Sequence, residues 1–126
     1  MNNEKIKVLI KSPNAELKEV YITNNYRSVR AIIGGNIEYM RFESFLDNKI
    51  DVIVNDEFLI NGSELNFAYG SNSNVDGIIA GEVMFVANNL GERDGLNKDQ
   101  IDYIKNRFGK YFTFDVQGNI VPVIEI

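Results

Sequence analysis

The chain has no histidine, no cysteine and no tryptophan, and only two prolines in 126 residues. Each absence removes a class of chemistry. Without imidazole or thiolate there is no His/Cys metal cage, no cysteine nucleophile and no Ser–His pair. Without cysteine there is no disulfide framework, and no apolar run approaches the roughly 18 residues that a membrane-spanning helix needs. Positive charge is also in short supply: Lys and Arg number 13 against 18 Asp and Glu, for a net charge of −5. Nucleic-acid binding draws its strength from clustered Lys and Arg, so the balance argues against direct nucleic-acid binding. What remains is carboxylates, hydroxyls, scattered cations and abundant asparagine, which favour a binding protein over an enzyme and call for no cofactor and no metal. The N-terminus enters a strand pattern directly, with no secretory signal, so the expected compartment is the cytoplasm.

A 44% hydrophobic, 25% charged chain of this length is expected to form one domain spanning residues 1–126. Lys5 to Ile10 alternates as a first strand, Ile6, Val8 and Ile10 sharing a face, and Leu17 to Ile22 returns as its hairpin partner. Asn24 or Asn25 caps a helix whose stripe is Tyr26, Val29 and Ile33, and Gly34 ends it. Asn36 to Phe42 reads as a strand with Ile37, Tyr39 and Arg41 on one side. Asp47-Asn48 is a turn, and Ile50 to Val54 pairs with Phe58 to Ile60 across Asn55-Asp56. Asn61 to Gly77 reads as a polar loop with one helical turn near Glu64 to Ala68, Ile78 to Ala87 as a central strand, and Asn88 to Gly95 as a second loop. Asn97 and Gln100 form the frame of a capping box for a helix with Ile101, Ile104 and Phe108 buried. Tyr111 to Val116 and Ile120 to Ile126 form a C-terminal β-hairpin in which Pro122 marks an edge strand. The expected fold class is α+β: a mostly antiparallel sheet with two helices packed on one face.

Ile6 to Ile10, Ile32-Ile33-Gly34-Gly35-Asn36-Ile37-Glu38, Val54-Asn55-Asp56-Glu57, Asn66-Phe67-Ala68, Asp76 to Gly81 and Leu96 to Ile101 together resemble the domain of unknown function 3846 family. These are small proteins frequent in phages and other mobile elements of bacteria. The resemblance covers residues 5–108 and leaves 111–126 as a C-terminal extension. It implies no activity and no catalytic residues. Phe67 stands where the family pattern leads one to expect a basic side chain after the Asn, which weakens an anion-binding role there. The implied setting is one in which small acidic proteins counter host defence, by sequestering a signal molecule or by binding an effector.

The best ligand-site candidate by composition lies in 61–77. Asn66, Asn72 and Asn74 supply amides that donate and accept, while Phe67 and Tyr69 offer rings for stacking on a nucleobase. The competing structural reading tucks both rings into the core. Arg27 and Arg30, three apart on the first helix, form a candidate basic patch whose plainer reading is a solvated helix face. Gly34-Gly35 follows a helix rather than a strand, so it is a turn and not a phosphate loop. Asn72-x-Asn74-x-Asp76-Gly77 imitates the start of a calcium loop but carries Val83 where the bidentate Glu belongs. The expected function is sequestration of a small nucleotide-like ligand, with self-association through exposed strand edges. The rivals are an acidic protein that inhibits a host defence protein by direct contact, in the manner of a nucleic-acid mimic, and a carboxylate-dependent metal hydrolase relying on Asp51 or Asp76.

Overall fold

The computed structural model describes residues 4–57, 62–71 and 74–126. The chain runs β1 (Lys5–Lys11), β2 (Lys18–Thr23), α1 (Tyr26–Ile33), β3 (Ile37–Met40), α2 (Glu43–Asp47), β4 (Ile50–Asn55), β5 (Leu65–Ser71), β6 (Asn74–Ala80), β7 (Val83–Asn89), β8 (Glu92–Asp94), α3 (Lys98–Lys105), β9 (Tyr111–Phe114) and β10 (Ile120–Glu125). It is an α+β structure, mostly antiparallel.

Among the described residues the strands form two sheets. The larger is six-stranded and antiparallel, in the order β2-β1-β7-β4-β3, with β8 added on β7; the smaller is four-stranded, β6-β5-β10-β9. Its β5–β10 pair is parallel, Val123 opposite Ala68.

The larger sheet is covered on both sides, as the near-continuous apolar runs of its inner strands β4 and β7 require. Ile50, Val52 and Val54 of β4 and Val83, Phe85 and Ala87 of β7 join Phe45, Phe67, Ile101, Ile104 and Ile124 in one core. Ile53, Met84 and Val86 face the other way and meet Val29 and Ile33 of α1. The two helices expected on one face therefore lie on opposite faces. The smaller sheet takes up the side with α3 and leaves α1 the other.

Local signals place the helices. Asn25 caps α1, its Oδ1 accepting from the Ser28 N–H at 2.8 Å, and the left-handed Gly34 closes it onto the Arg30 carbonyl. Asn97 and Gln100 complete the capping box of α3 in both directions. α2, which starts without a side-chain cap, is held by Phe45 in the core.

Several expectations need correction. Where a polar loop and a helical turn are expected between Asn61 and Gly77, the described residues from Leu65 to Ser71 and from Asn74 onward form β5 and β6, antiparallel partners with irregular register at Leu65/Phe67 and Tyr69/Gly70. The apolar stretch from Ile78 to Ala87 is not one strand: Gly81 ends β6 and β7 begins at Val83. The loop at 88–95 is a hairpin, Asn89 opposite Glu92, turned by Leu90 and Gly91 with both φ values positive, the combination that matches strand twist. Pro122 does not mark an edge. β10 lies between β5 and β9, and its ladder to β5 begins at Val123, so the missing Pro122 N–H is not called on there. The expected partner strand at 58–60 lies outside the described residues. Among the described residues no helix is long and apolar enough to cross a membrane.

Candidate functional site

A cleft of about 1170 Å³ opens between the β1–β2 turn, the end of α3 and the β9–β10 hairpin. Lys11 and Asn66, 5% and 2% exposed, line it from within. Lys11 continues the β1 face that carries Leu9, and this face looks into the space between the two sheets. A lysine here has to satisfy its ammonium internally. Its Nζ donates to the Asn66 Oδ1 at 3.0 Å and to the Ser12 carbonyl at 2.9 Å, so two of its three N–H groups are bonded among the described residues. Burial pushes the Lys11 pKa below the ordinary lysine value, with Glu82 pulling the other way.

Asn66 is fixed just as firmly. Its Nδ2 donates to the Lys11 carbonyl at 2.6 Å and to the Gly81 carbonyl at 2.7 Å, tying β1, β5 and the β6–β7 turn together. The Ser12 hydroxyl donates to Glu82 at 2.5 Å beside this knot. The walls are more apolar. The Phe108 ring is braced edge-on against Phe67 at 5.2 Å, whereas Phe112 on the opposite wall is 60% exposed. Asn14, Gln117 and Asn119 add amides at the rim. Chemically the cleft offers a cation in a low-dielectric setting, ring surface and paired donors and acceptors.

The candidate residues from the sequence do not converge on one site. Asn66 reaches the cleft. Phe67 is fully buried in the main core. Tyr69 is half-buried against the Phe42 ring at 4.9 Å, and its ring also lies over Gly77, where a Cβ would collide with it. Neither ring is a stacking platform. Asn74 is exposed on β6, and Asn72 lies outside the described residues. Arg27 and Arg30 are exposed on α1, on the far side of the larger sheet from Asn66. Asp76, the hydrolase candidate, is exposed on β6, and among the described residues no three acidic side chains form a metal-holding group.

Sequence reading missed Lys11 as a site residue. The available signal was Leu9, an apolar residue on the strand face opposite Ile6, Val8 and Ile10, which implied that both faces are covered at the end of β1.

The motif residues behind the family resemblance hold the fold. The Asn55 Nδ2 donates to the Ile33 carbonyl at 3.5 Å and its Oδ1 accepts from the Glu57 N–H at 2.8 Å. A Cβ on Gly35 would lie 3.0 Å from that amide, so the residue after the α1 cap must be small. Comparison with curated proteins and with solved structures finds no match. The family model of the domain of unknown function DUF3846 matches residues 6–109, most of the chain, and the protein belongs to that family.

Proposed function

We propose that this is a binding protein that sequesters a small nucleotide-like molecule in the cleft over Lys11 and Asn66. The observation that carries the reading is an ammonium group held almost out of solvent at a cleft large enough for such a ligand. A phosphate or carbonyl-rich group meeting Lys11 gains more from that charge than it would at the surface, because little water competes. The exposed Phe112 ring is available to stack on a flat base, and the Gln117 amide is available to its edge, with the Asn14 and Asn119 amides already donating to Glu64 and Asp115. In the setting that the family resemblance implies, a bacterial cell carrying a mobile element, the bound molecule is a defence signal and its removal is the function.

The test is calorimetric titration with a cyclic dinucleotide, ADP-ribose and AMP. At least one is expected to bind with micromolar or better affinity. Phe112→Ala, a change at an exposed ring, and Lys11→Met, which removes the charge, are both expected to weaken that binding about tenfold or more, a loss of roughly 1.4 kcal/mol. No heat with any of the three removes the reading. Binding that survives both substitutions moves the ligand elsewhere.

A further inference from the structure

A second cleft, of about 650 Å³, lies on the other face of the larger sheet, the face that carries α1. It is lined by Arg41, Asp51, Asn88 and Arg93, with Tyr39 and Glu92 at its border. Two of its parts, Arg93 and Asp51, are held by neighbouring asparagines. Asn24 is 7% exposed and grips Arg93 twice: its Nδ2 donates to the Arg93 carbonyl and its Oδ1 accepts from the Arg93 Nε, each at 3.0 Å. That fixes the plane of the guanidinium and leaves its terminal NH₂ groups uncommitted by this clamp. Neither Arg93 nor Arg41 makes an ion pair among the described residues, although five such pairs occur elsewhere.

Asn88 is fixed in the same manner. Its Oδ1 accepts from the Gly91 N–H at 2.7 Å in the β7–β8 turn, which aims its Nδ2 at the Asp51 Oδ2, 3.2 Å away. Asp51 is half-buried on β4, beside the charge of Arg41, and keeps its other oxygen for a further donor. The cleft therefore presents the oriented Arg93 guanidinium, the exposed Arg41 and an oriented carboxylate within one small space. Its formal charges balance, Arg41 and Arg93 against Asp51 and Glu92. A plain anion would meet the arginines but be repelled by Asp51; a plain cation would meet the reverse. A molecule with both signs a few bonds apart satisfies both.

We infer that this cleft is a binding site for a small zwitterion of the α-amino acid type, its carboxylate on Arg93 and Arg41 and its ammonium on Asp51. The arginines supply fork-shaped donors suited to a carboxylate, and the ammonium meets the Asp51 carboxylate beside the Asn88 amide. The site is separate from the Lys11 cleft and does not depend on what binds there.

The experiment is an NMR titration of the intact protein, following the Arg93 Nε–H and the Asn88 side-chain amide. The probes are L-glutamine and glycine as zwitterions, acetate as the anion alone, methylammonium as the cation alone, and inorganic phosphate. The expected result is a saturable shift of both resonances with a zwitterion in the millimolar range or below, and far smaller shifts with the single-charge probes. Arg41→Gln, at an exposed side chain, and Asp51→Asn are each expected to weaken the zwitterion about tenfold. Equal shifts with phosphate or acetate that persist in Asp51→Asn would make it an anion site and overturn the inference. So would the absence of any saturable shift with both amino acids.

Discussion

The two clefts lie on opposite faces of one sheet and are built by different means. At the Lys11 cleft the polar groups are part of the frame: Asn66 joins three chain segments, and Lys11 is bonded on the inside before any ligand arrives. At the Arg93 cleft Asp51, Asn88 and Arg93 are mounted on β4, β7 and β8, and only Asn24 of its lining is buried. The difference separates two uses of the same residue type. A buried asparagine with every group engaged holds the fold, whereas a buried asparagine that orients an arginine prepares a surface. Removing the first kind should cost the protein much of its stability; removing the second should mainly alter what it holds.

Asn66→Ala is the strongest test of that contrast. It deletes two donated bonds and one accepted bond and leaves the Lys11 ammonium and two carbonyls short of partners in a buried place. With about 1 kcal/mol for each bond and a further penalty for orphaned groups, the expected cost is about 3 kcal/mol. Urea denaturation checks it as a fall in midpoint at constant slope. A loss below about 1 kcal/mol would mean that the knot is ornamental and that the two clefts are built alike.

That knot also marks where the sequence stops being readable. The capping box at Asn97 and Gln100, the Asn25 cap and the Gly34 terminator were legible because each is written within four residues of itself. Phe67 and Tyr69 lie two apart, as on one face of a strand, but the Asn, Gly and Ser around them are the composition of a loop. What Asn66 does was not legible: its partners are Lys11, 55 positions away, and the Gly81 carbonyl, a backbone group that no side-chain pattern reveals. The same applies to the parallel β5–β10 pair, whose strands are far apart in the chain. The Arg93 cleft assembles residues from five separate stretches, and each looks like ordinary surface alone.

Asn24→Ala probes the other side of the comparison. It removes the two side-chain bonds to Arg93 but leaves the Asn24 backbone bond to the Glu4 carbonyl in place. The expected cost is about 1–2 kcal/mol, less than for Asn66, because Arg93 can turn to water. Arg93→Met should cost no more than that, about 1 kcal/mol, because it orphans the Asn24 Oδ1 but keeps the bond to the backbone carbonyl of residue 93. Thermal melts of the two variants, read beside Asn66→Ala, order the three. If Arg93→Met proves the most damaging, the second cleft is structural and not a surface prepared for a ligand.

The finest distinction is electrostatic, and it is read from pH. Each cleft contains one group whose charged form is disfavoured by burial: Lys11, with its pKa lowered, and Asp51, with its pKa raised, chiefly by burial and against the Asn88 hydrogen bond and the Arg41 charge. For Lys11 the native protein gives up its proton at lower pH than the unfolded chain. Its penalty therefore fades as pH climbs from the native pKa to the ordinary value of 10.5, and the parent should gain on Lys11→Met across that window. For Asp51 the native carboxyl keeps its proton longer than the unfolded one. Stability that is complete below the ordinary value of 3.8 is lost as pH rises through the native pKa, so the parent falls behind Asp51→Asn there and stays behind at neutral pH. Because Asp51 is only half-buried, the neutral-pH gain of Asp51→Asn should be small, a rise in melting temperature of no more than about 3 °C. A variant that is slightly more stable yet unable to hold a zwitterion is what a carboxylate kept for binding predicts. A variant that melts lower at neutral pH would show that Asp51 serves the sheet, and the contrast between the two clefts would then be one of exposure alone.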